Sequence, residues 1–219
     1  DDEKDVANLL EVYLQNENYI VYKYYCAKDA IPCIEKGDID LAILDIMLPD
    51  INGFSLCQRI REKYTYPIIM LTAKLEETDK ITGLTLGADD YVTKPFRPLE
   101  VVARVKAQLR RYKKYSSVTS EEGIKPELSY NKLRLNVQTH ECLLDGENVS
   151  LTPTEFSILN VLLENAGTVV SIEYLFHAVW KEEYYSKNSS TITVHIRHLR
   201  EKLKDTSDTP KYIKTIWGV

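Results

Sequence analysis

Short, wholly apolar runs alternate with helical patterns along the first half of the sequence, and this alternation constrains the fold more than any other feature. Residues 41–44 and 68–71 are apolar at four consecutive positions each, which is typical of strands buried on both faces. Around them, apolar residues recur three and four apart, as in Val6, Leu9 and Tyr13. The alternation predicts βαβ units in an open parallel α/β sheet, whose ligands collect beyond the carboxyl ends of the strands.

Each predicted strand runs into one chemically active residue. The strand ends are Asp45, Thr72 and Lys94, and the sequence itself opens with three acids at residues 1–3. If these positions converge, they form an oxygen-rich site without histidine or cysteine. Closely packed carboxylates repel one another unless a cation joins them, and an all-oxygen site suits Mg²⁺. Asp45 is then placed as a nucleophile that can form an acyl phosphate, with Lys94 and Thr72 on the phosphoryl oxygens.

Length and composition restrict the class of protein. A chain of 219 residues fits one large domain or two small ones. The net charge of -5 gives no general attraction for phosphate backbones, so nucleic-acid binding requires a local basic patch. The four cysteines lack metal-site spacing. No run approaches the roughly 18 apolar residues of a membrane span, and no signal segment is present, so we expect a cytoplasmic protein without membrane contact.

The second half carries the features of an α+β winged helix-turn-helix domain. Alternating short strands surround the turn Asp145-Gly146, and a capping box at residues 152–155 begins a helix. A later helix over residues 189–203 is apolar on one face and basic on the other. Charge alone fits a solvated surface helix equally well. The two preceding helices and a following strand over 212–216 favour a recognition helix that enters the DNA major groove.

The predicted domain boundaries follow from these patterns. Residues 1–111 form the first domain and residues 127–219 the second. Residues 112–126 are rich in small polar side chains and lack a sustained apolar period, so we interpret them as a linker.

Several motifs of the first domain resemble the receiver domain of two-component response regulators. They are DDE at the start, LDIMLPDINGF around Asp45, PIIMLTAK around Thr72 and GADDYVTKPFRPLE around Lys94. The resemblance implies a flavodoxin-like parallel sheet with strand order 2-1-3-4-5. It implies that Asp45 is the phosphoacceptor and that Thr72 and Lys94 contact the phosphoryl group. The Mg²⁺ ligands that the resemblance implies are Asp1, Asp2, Asp45 and the backbone carbonyl of Met47. The aromatic residue that it implies for the conformational switch is Tyr91.

The sequence departs from the receiver pattern at two places. The family has an apolar first strand before the acidic pair, whereas this sequence begins at Asp1. We expect that this first strand lies among residues outside the printed sequence. We expect the same of the last strand of the family's wing. Pro32 falls inside the expected second helix, where a proline removes a hydrogen bond and costs about 3 kcal/mol or forces a kink. Neither departure changes the predicted function.

Motifs of the second domain resemble the effector domain of the OmpR and PhoB regulators. They are LTPTEFSIL, ITVHIRHLREKL and PKYIKTIWGV. The resemblance implies base contacts from Val194, Arg197 and His198. The implied phosphate or sugar contacts come from Thr191, Arg200, Lys214 and Thr215. At Trp217 many relatives carry a wing arginine that enters the minor groove, and an indole cannot supply that charge.

Charged residues of the receiver domain match those that the OmpR and PhoB subfamily uses to form a symmetric dimer. The expected pairs are Lys80 with Glu100, Asp90 with Arg104, and Asp89 with Arg111. A solvated charged face is the alternative, because exposed ion pairs contribute only about 0 to 1 kcal/mol each. Repetition by twofold symmetry can still fix the orientation of such a dimer.

The resemblance extends to the vancomycin-resistance regulators through YKYYCAKDA, HIRHLREK and KTIWGV. It implies a transcription factor that is phosphorylated by a VanS-like sensor histidine kinase, forms a homodimer, binds promoter DNA and contacts RNA polymerase at glycopeptide-resistance genes. Self-phosphorylation from a phosphodonor and slow autodephosphorylation are the only enzymatic steps expected.

Two other hypotheses stay open at this point. One is a Mg²⁺-dependent phosphohydrolase with Asp45 as nucleophile, which is disfavoured because Met47 stands where such enzymes carry a general acid. The other is an atypical regulator that binds DNA without phosphorylation.

Overall fold

The computed structural model describes residues 1–73, 87–114, 127–181 and 189–216. The chain divides into two compact units, Asp1–Leu109 and Arg110–Val219. Among the described residues, no helix is both long and apolar enough to cross a membrane.

The first unit confirms the predicted alternation of strands and helices. Its strands are parallel and lie side by side in the order β1-β2-β3. The elements are α1 (Lys4–Gln15), α2 (Ala27–Lys36), β1 (Ala42–Asp45), α3 (Gly53–Arg61), β2 (Ile68–Thr72), β3 (Asp90–Thr93) and α4 (Pro98–Lys114).

Burial explains why these runs are strands. Every residue of the central strand β2 is buried, so apolar side chains are required on both of its faces. Ile69 and Leu71 pack in one cluster with Val92 of β3 and Val105 of α4. Residues 19–24, where the flavodoxin-like order places its second strand, join no ladder in the described part of the chain. The expected neighbour of that strand is the first strand of the family pattern.

Pro32 lies inside α2, as the sequence predicted, and its side chain is exposed. The free backbone N–H groups at the beginning of this helix donate to a residue outside the helix. The Asp50 carboxylate accepts hydrogen bonds from the backbone N–H groups of Ala27 and Lys28 at 2.9 and 2.7 Å. These bonds lower the pKa of Asp50, because they favour its charged form. The loop after β1 is therefore tied to the N-terminus of α2.

Helix α4 runs through Lys114, three residues into the segment predicted as a linker. No proline or glycine interrupts residues 112–114, so nothing in the sequence stops the helix there. Residues 115–126 lie outside the described part of the chain, and the linker remains a prediction.

The second unit contains an antiparallel sheet and helices. Its four strands are hydrogen-bonded in chain order, and the predicted Asp145-Gly146 turn has positive φ angles of 54° and 85°, as a type I′ hairpin requires. The elements are β4 (Glu127–Tyr130), β5 (Leu133–Asn136), β6 (Glu141–Leu144), β7 (Glu147–Asn148), α5 (Pro153–Glu164), α6 (Ile172–Trp180) and α7 (Ser189–Lys202).

The helices of this unit begin and pack as predicted. The Thr152 hydroxyl and the Glu155 carboxylate form a complete capping box at the start of α5, and the Ser171 hydroxyl caps α6. The apolar stripe of α7, which includes Ile192 and Leu199, is buried in the core of the unit.

Residues 212–216, predicted as a wing strand, join no ladder in the described part of the unit. A strand needs a neighbouring strand to accept its N–H groups. Those of Lys211, Tyr212 and Ile213 donate instead to the carboxylate of Asp205. The Asp205 carboxylate therefore holds the beginning of this segment.

Candidate functional site

The carboxyl ends of the parallel strands form one acidic pocket. Asp45, the last residue of β1, is 2% exposed, and its Oδ2 lies 2.7 Å from Nζ of Lys94, which follows β3. Thr72 ends β2 between them and is buried, and its carbonyl accepts the backbone N–H of Lys94 at 2.7 Å. The structure thus brings together the three residues that the strand ends singled out.

Lys94 joins several carboxylates in this pocket. Its Nζ lies 2.7 Å from Glu3 Oε1 and 3.2 Å from Asp1 Oδ1, in addition to its bond with Asp45. Burial alone would lower the pKa of Lys94, but hydrogen bonds to Asp45 and Glu3 outweigh burial and raise the pKa above its ordinary value. Lys94 is therefore a cation at physiological pH.

The acids of the pocket fit a hard divalent cation. Asp1, Asp2 and Asp45 each place a carboxylate oxygen within 4.8 Å of the other two. Asp1 Oδ2 is buried without a hydrogen bond, although it lies 3.1 Å from Lys94 Nζ. Carboxylate oxygens at this spacing are ligands that Mg²⁺ accepts, and a shared cation removes their mutual repulsion. The donor set is therefore suited to magnesium.

Of the two further predicted residues, Met47 lies beside the acceptor, whereas Tyr91 lies in β3, on the other side of β2. The backbone N–H of Met47 donates to Asp45 Oδ1 at 3.0 Å, which holds the loop against the carboxylate. Tyr91 lies in β3 opposite Met70 and is half-buried. Metal coordination by the Met47 carbonyl and reorientation of the Tyr91 ring remain predictions.

Gly53 shapes the pocket, and the sequence analysis gave it no role. Its N–H donates to the carbonyl of Ile46 at 2.9 Å, which closes the loop between β1 and α3. A Cβ on Gly53 would lie 2.0 Å from the Asp45 carbonyl oxygen, far inside van der Waals contact. The glycine within the LDIMLPDINGF motif was the available signal.

Gly53→Ala should therefore damage both the fold and the site. We expect a loss of about 1 to 3 kcal/mol in the free energy of unfolding, as for other overpacked positions, together with weaker Mg²⁺ binding, because the end of β1 must move. Urea unfolding and a Mg²⁺ titration measure the two effects. Gly146→Ala is the matched control: it strains a positive φ of 85° but meets no atom within 4 Å. A Gly53→Ala chain that keeps the Mg²⁺ affinity of the Gly146→Ala chain would contradict this expectation.

Asp89 and Arg111, an expected dimer pair, are both buried and bound within one chain. Asp89 is fully buried, and its Oδ2 lies 2.6 Å from Arg61 Nη2 and accepts the Ile68 N–H at 2.9 Å. Arg111 is also buried, and its Nη1 donates to the Val179 carbonyl at 2.9 Å within the second unit. Both side chains are therefore bound within one chain, and a pair between two chains remains a prediction.

The other dimer residues have different outcomes. Arg104 Nη1 lies 3.1 Å from both carboxylate oxygens of Asp90, and Nη2 lies 3.2 Å from Glu100 Oε1, all within one chain. The expected partner of Glu100, Lys80, lies outside the described residues. Dimerisation through this face remains a prediction.

The recognition helix exposes less of its predicted base-reading surface than expected. Arg197 is exposed, whereas Val194 is 6% and His198 9% exposed, and His198 Nδ1 lies 3.7 Å from Glu155 Oε1. In this conformation Val194 and His198 are buried, and their base contacts remain a prediction. Helical spacing gives each residue's angle from the apolar stripe but not what covers the opposite side. Burial also lowers the pKa of His195 to about 4, so it adds no charge to the helix at neutral pH.

The residues predicted to contact the DNA backbone also differ in their exposure. Lys214 and Thr215 are exposed and Thr191 is half-buried. The Arg200 guanidinium is bound within the unit, to the Ile213 carbonyl at 3.0 Å and to Thr215 Oγ1 at 2.8 Å. Trp217 lies outside the described residues.

Comparison with known proteins identifies both units. Residues 1–106 match the response regulator receiver domain, and residues 146–219 match the C-terminal domain of transcriptional regulatory proteins. The chain belongs to the OmpR/PhoB-type response regulators. This response regulator is a transcription factor with a receiver domain and a DNA-binding domain.

Two curated relatives span the whole of this response regulator. Regulatory protein VanR of Enterococcus faecium is 64% identical over 220 residues, which cover 100% of this chain and 94% of that protein. Regulatory protein VanRc of Enterococcus gallinarum is 55% identical over 219 residues, with the same coverage of 100% and 94%.

Solved structures support the same assignment. DrrB, an OmpR/PhoB homologue from Thermotoga maritima, is 31% identical with a TM-score of 0.51. A point mutant of RitR is 28% identical with a TM-score of 0.76. Both comparisons cover 100% of this chain and 94% of the other.

Proposed function

We propose that this response regulator takes a phosphoryl group onto Asp45 from a sensor histidine kinase and, once phosphorylated, pairs and binds promoter DNA. The observation that carries the proposal is the pocket itself. A buried Asp45 carboxylate lies 2.7 Å from the ammonium of Lys94, beside the carboxylates of Asp1 and Asp2. Such a pocket can hold a carboxylate nucleophile, a metal and a cation around one phosphoryl group.

The transfer step follows from these groups. An Asp45 carboxylate oxygen forms a bond to phosphorus while the bond from phosphorus to the donor's histidine nitrogen breaks, and the electron pair of that bond returns to the imidazole. Lys94 then exchanges its bond with the free carboxylate for one with a phosphoryl oxygen, and the Thr72 hydroxyl donates to another. Mg²⁺, held by Asp1, Asp2 and Asp45 with the Met47 carbonyl, supplies positive charge beside the phosphoryl oxygens when bound.

Phosphorylation regulates DNA binding in this proposal by favouring a dimer. Joining two DNA-binding domains raises the apparent affinity by roughly 10² to 10⁴ without any new base contact. To raise the population of the dimer-competent state from 1% to 99%, phosphorylation must favour that state by about 5.5 kcal/mol. A smaller free-energy difference still regulates DNA binding. Bound at a promoter in the cytoplasm, the dimer contacts RNA polymerase.

The regulated genes are proposed from the relatives. VanR and VanRc match this chain along its whole length. We therefore propose that it controls transcription of vancomycin-resistance genes and that its kinase is VanS-like.

Removal of a metal ligand tests the proposed magnesium site. Asp1→Asn and Asp2→Asn should each lower Mg²⁺ affinity at least about tenfold, because a neutral amide replaces a charged oxygen ligand. Isothermal titration of the full chain measures this loss. The control is Asp38→Asn, an exposed acid outside the cluster. Equal affinities for all variants would rule out these ligands.

Turnover separates the regulator from the rival phosphohydrolase. The full chain is incubated with acetyl phosphate and Mg²⁺, and released phosphate is followed while the protein is footprinted on promoter DNA. We expect one phosphoryl group per chain and protection of two adjacent half-sites. Steady multiple turnover without a footprint would instead support the hydrolase.

A further inference from the structure

Two charged side chains, one in the recognition helix and one just after it, bind the segment that carries Lys214. We call residues 211–215 the wing segment. Asp205, just after α7, is 7% exposed, and its carboxylate accepts the N–H groups of Lys211, Tyr212 and Ile213 at 2.7, 3.2 and 2.9 Å. Three consecutive backbone donors thus meet one buried carboxylate.

Arg200 binds the same segment from within α7. Its Nε and Nη2 lie 3.3 and 3.0 Å from the Ile213 carbonyl, and Nη2 lies 2.8 Å from Thr215 Oγ1. Ile213 is therefore held at both its N–H and its C=O, and its side chain is buried in the core of the unit. Hydrogen bonds that involve a charged group are the stronger ones, so this attachment is firm.

Lys214 lies between the two attached residues and is itself exposed. Its backbone is fixed on one side by Ile213 and on the other by the Thr215 hydroxyl. Within the described residues, no hydrogen bond or ion pair engages the Lys214 ammonium. The attachment thus fixes the backbone from which the exposed Lys214 side chain extends, while the side chain itself has no partner among the described residues.

We propose that Asp205 and Arg200 are positioning residues for DNA binding, which hold Lys214 where it meets a phosphate while α7 occupies the major groove. Arg200 is then not itself a phosphate contact, in contrast to the expectation from the sequence. The inference rests on the proposed function and on the phosphate contact that the sequence predicts for Lys214. Asp205 and Arg200 act through the wing segment and touch no DNA.

Salt dependence distinguishes a positioning residue from a contact. Each phosphate contact contributes about 0.9 to the slope of log Kobs against log salt, which is roughly fivefold in affinity at 0.15 M salt. A direct contact by Arg200 adds its own share to that of Lys214. If Arg200 only positions Lys214, its substitution lowers the affinity no further once Lys214 has been removed. The two residues then act as one unit.

The experiment is a double-mutant cycle in the full chain. The probe is a DNA duplex that the parent chain selects from a random pool. Affinity and salt slope are measured for the parent, Lys214→Ala, Arg200→Gln and the double variant. The matched control is Arg197→Gln, on the same helix, whose guanidinium pairs with Glu201 at 2.9 Å rather than with the wing segment.

We expect Arg200→Gln and Lys214→Ala each to lower the slope by about 0.9, and the double variant to lose no more than either one. The control Arg197→Gln should lose affinity additively with Lys214→Ala. A double variant that loses roughly 30-fold, as two independent contacts would, overturns the inference. So does an Arg200→Gln or a Lys214→Ala chain with parental affinity. A parent that binds no duplex would overturn the proposed function, and the inference with it.

Trypsin cleavage checks the attachment without DNA. In the full chain, Arg200→Gln and Asp205→Asn should speed cleavage after Lys211 and Lys214, because the backbone there is released. Cleavage after Lys63, which is exposed in the first unit, should not change. Faster cleavage there would indicate global unfolding of the variant. Unchanged cleavage in the wing segment of both variants would overturn the inference.

Discussion

A chain carrying Asp45→Asn takes up no phosphoryl group from acetyl phosphate and Mg²⁺, whereas the parent takes up one. The amide of asparagine is not a nucleophile, and it also lacks the charge that binds Lys94 and the metal. Thr72 and Lys94 remain in place, but neither can replace the carboxylate. Intact-mass spectrometry after a brief incubation counts the phosphoryl groups.

The control for this experiment is Asp38→Asn, which removes an exposed acid of the same unit and should leave phosphorylation unchanged. Because the phosphoryl group is expected at one residue, peptide mapping of the parent should find it on Asp45. Stoichiometric labelling of the Asp45→Asn chain would show that another residue is the acceptor.

Asp89→Ala should be the most destabilising substitution of a charged residue in the first unit. It leaves the Arg61 guanidinium, only 12% exposed, without its carboxylate, and it removes the acceptor of the Ile68 N–H. Breaking a buried ion pair by removing one partner costs about 3 to 5 kcal/mol. Urea unfolding, followed by far-UV circular dichroism, measures this loss.

An exposed arginine pair provides the comparison. Glu35 and Arg59 lie 3.0 Å apart, with both side chains more than half exposed. Glu35→Ala should cost less than about 1 kcal/mol, because solvent screens that pair. If the two substitutions cost the same, the pair of Arg61 and Asp89 does not support the start of β2 as the structure indicates.

Short apolar runs were enough to predict the receiver sheet. A strand covered on both faces, such as β2, must be apolar at every position, and the short length and β-branched residues of the run favour a strand over a buried helix. The convergence of Asp45, Thr72 and Lys94 then followed, because parallel strands end at one edge.

The different roles of Asp89 and Asp90 could not be read from the sequence. Both acids stand in one motif, yet Asp89 binds Arg61, 28 residues away, while Asp90 binds Arg104 of α4. Which of two neighbouring acids points inward depends on the register of β3 and on a partner distant in the chain. Gly53 was missed for the same reason, since its role depends on the approach of the Asp45 carbonyl.

The DNA-binding surface shows a second limit of sequence patterns. The spacing of α7 correctly placed Ile192 and Leu199 in the core. It could not show that Val194 is buried, nor that Arg200 turns toward Ile213 instead of solvent. The contact of Arg200 depends on a segment that follows the helix and folds back onto it.

The most direct test of phosphorylation-controlled DNA binding is the affinity of the full chain for its selected duplex, with and without beryllofluoride and Mg²⁺. Beryllofluoride is a stable mimic of the phosphoryl group on an aspartate. We predict an increase in affinity of about 10² or more for the parent, and no change for Asp45→Asn. Equal affinity of the parent in both conditions would contradict the account and favour a regulator that binds DNA without phosphorylation.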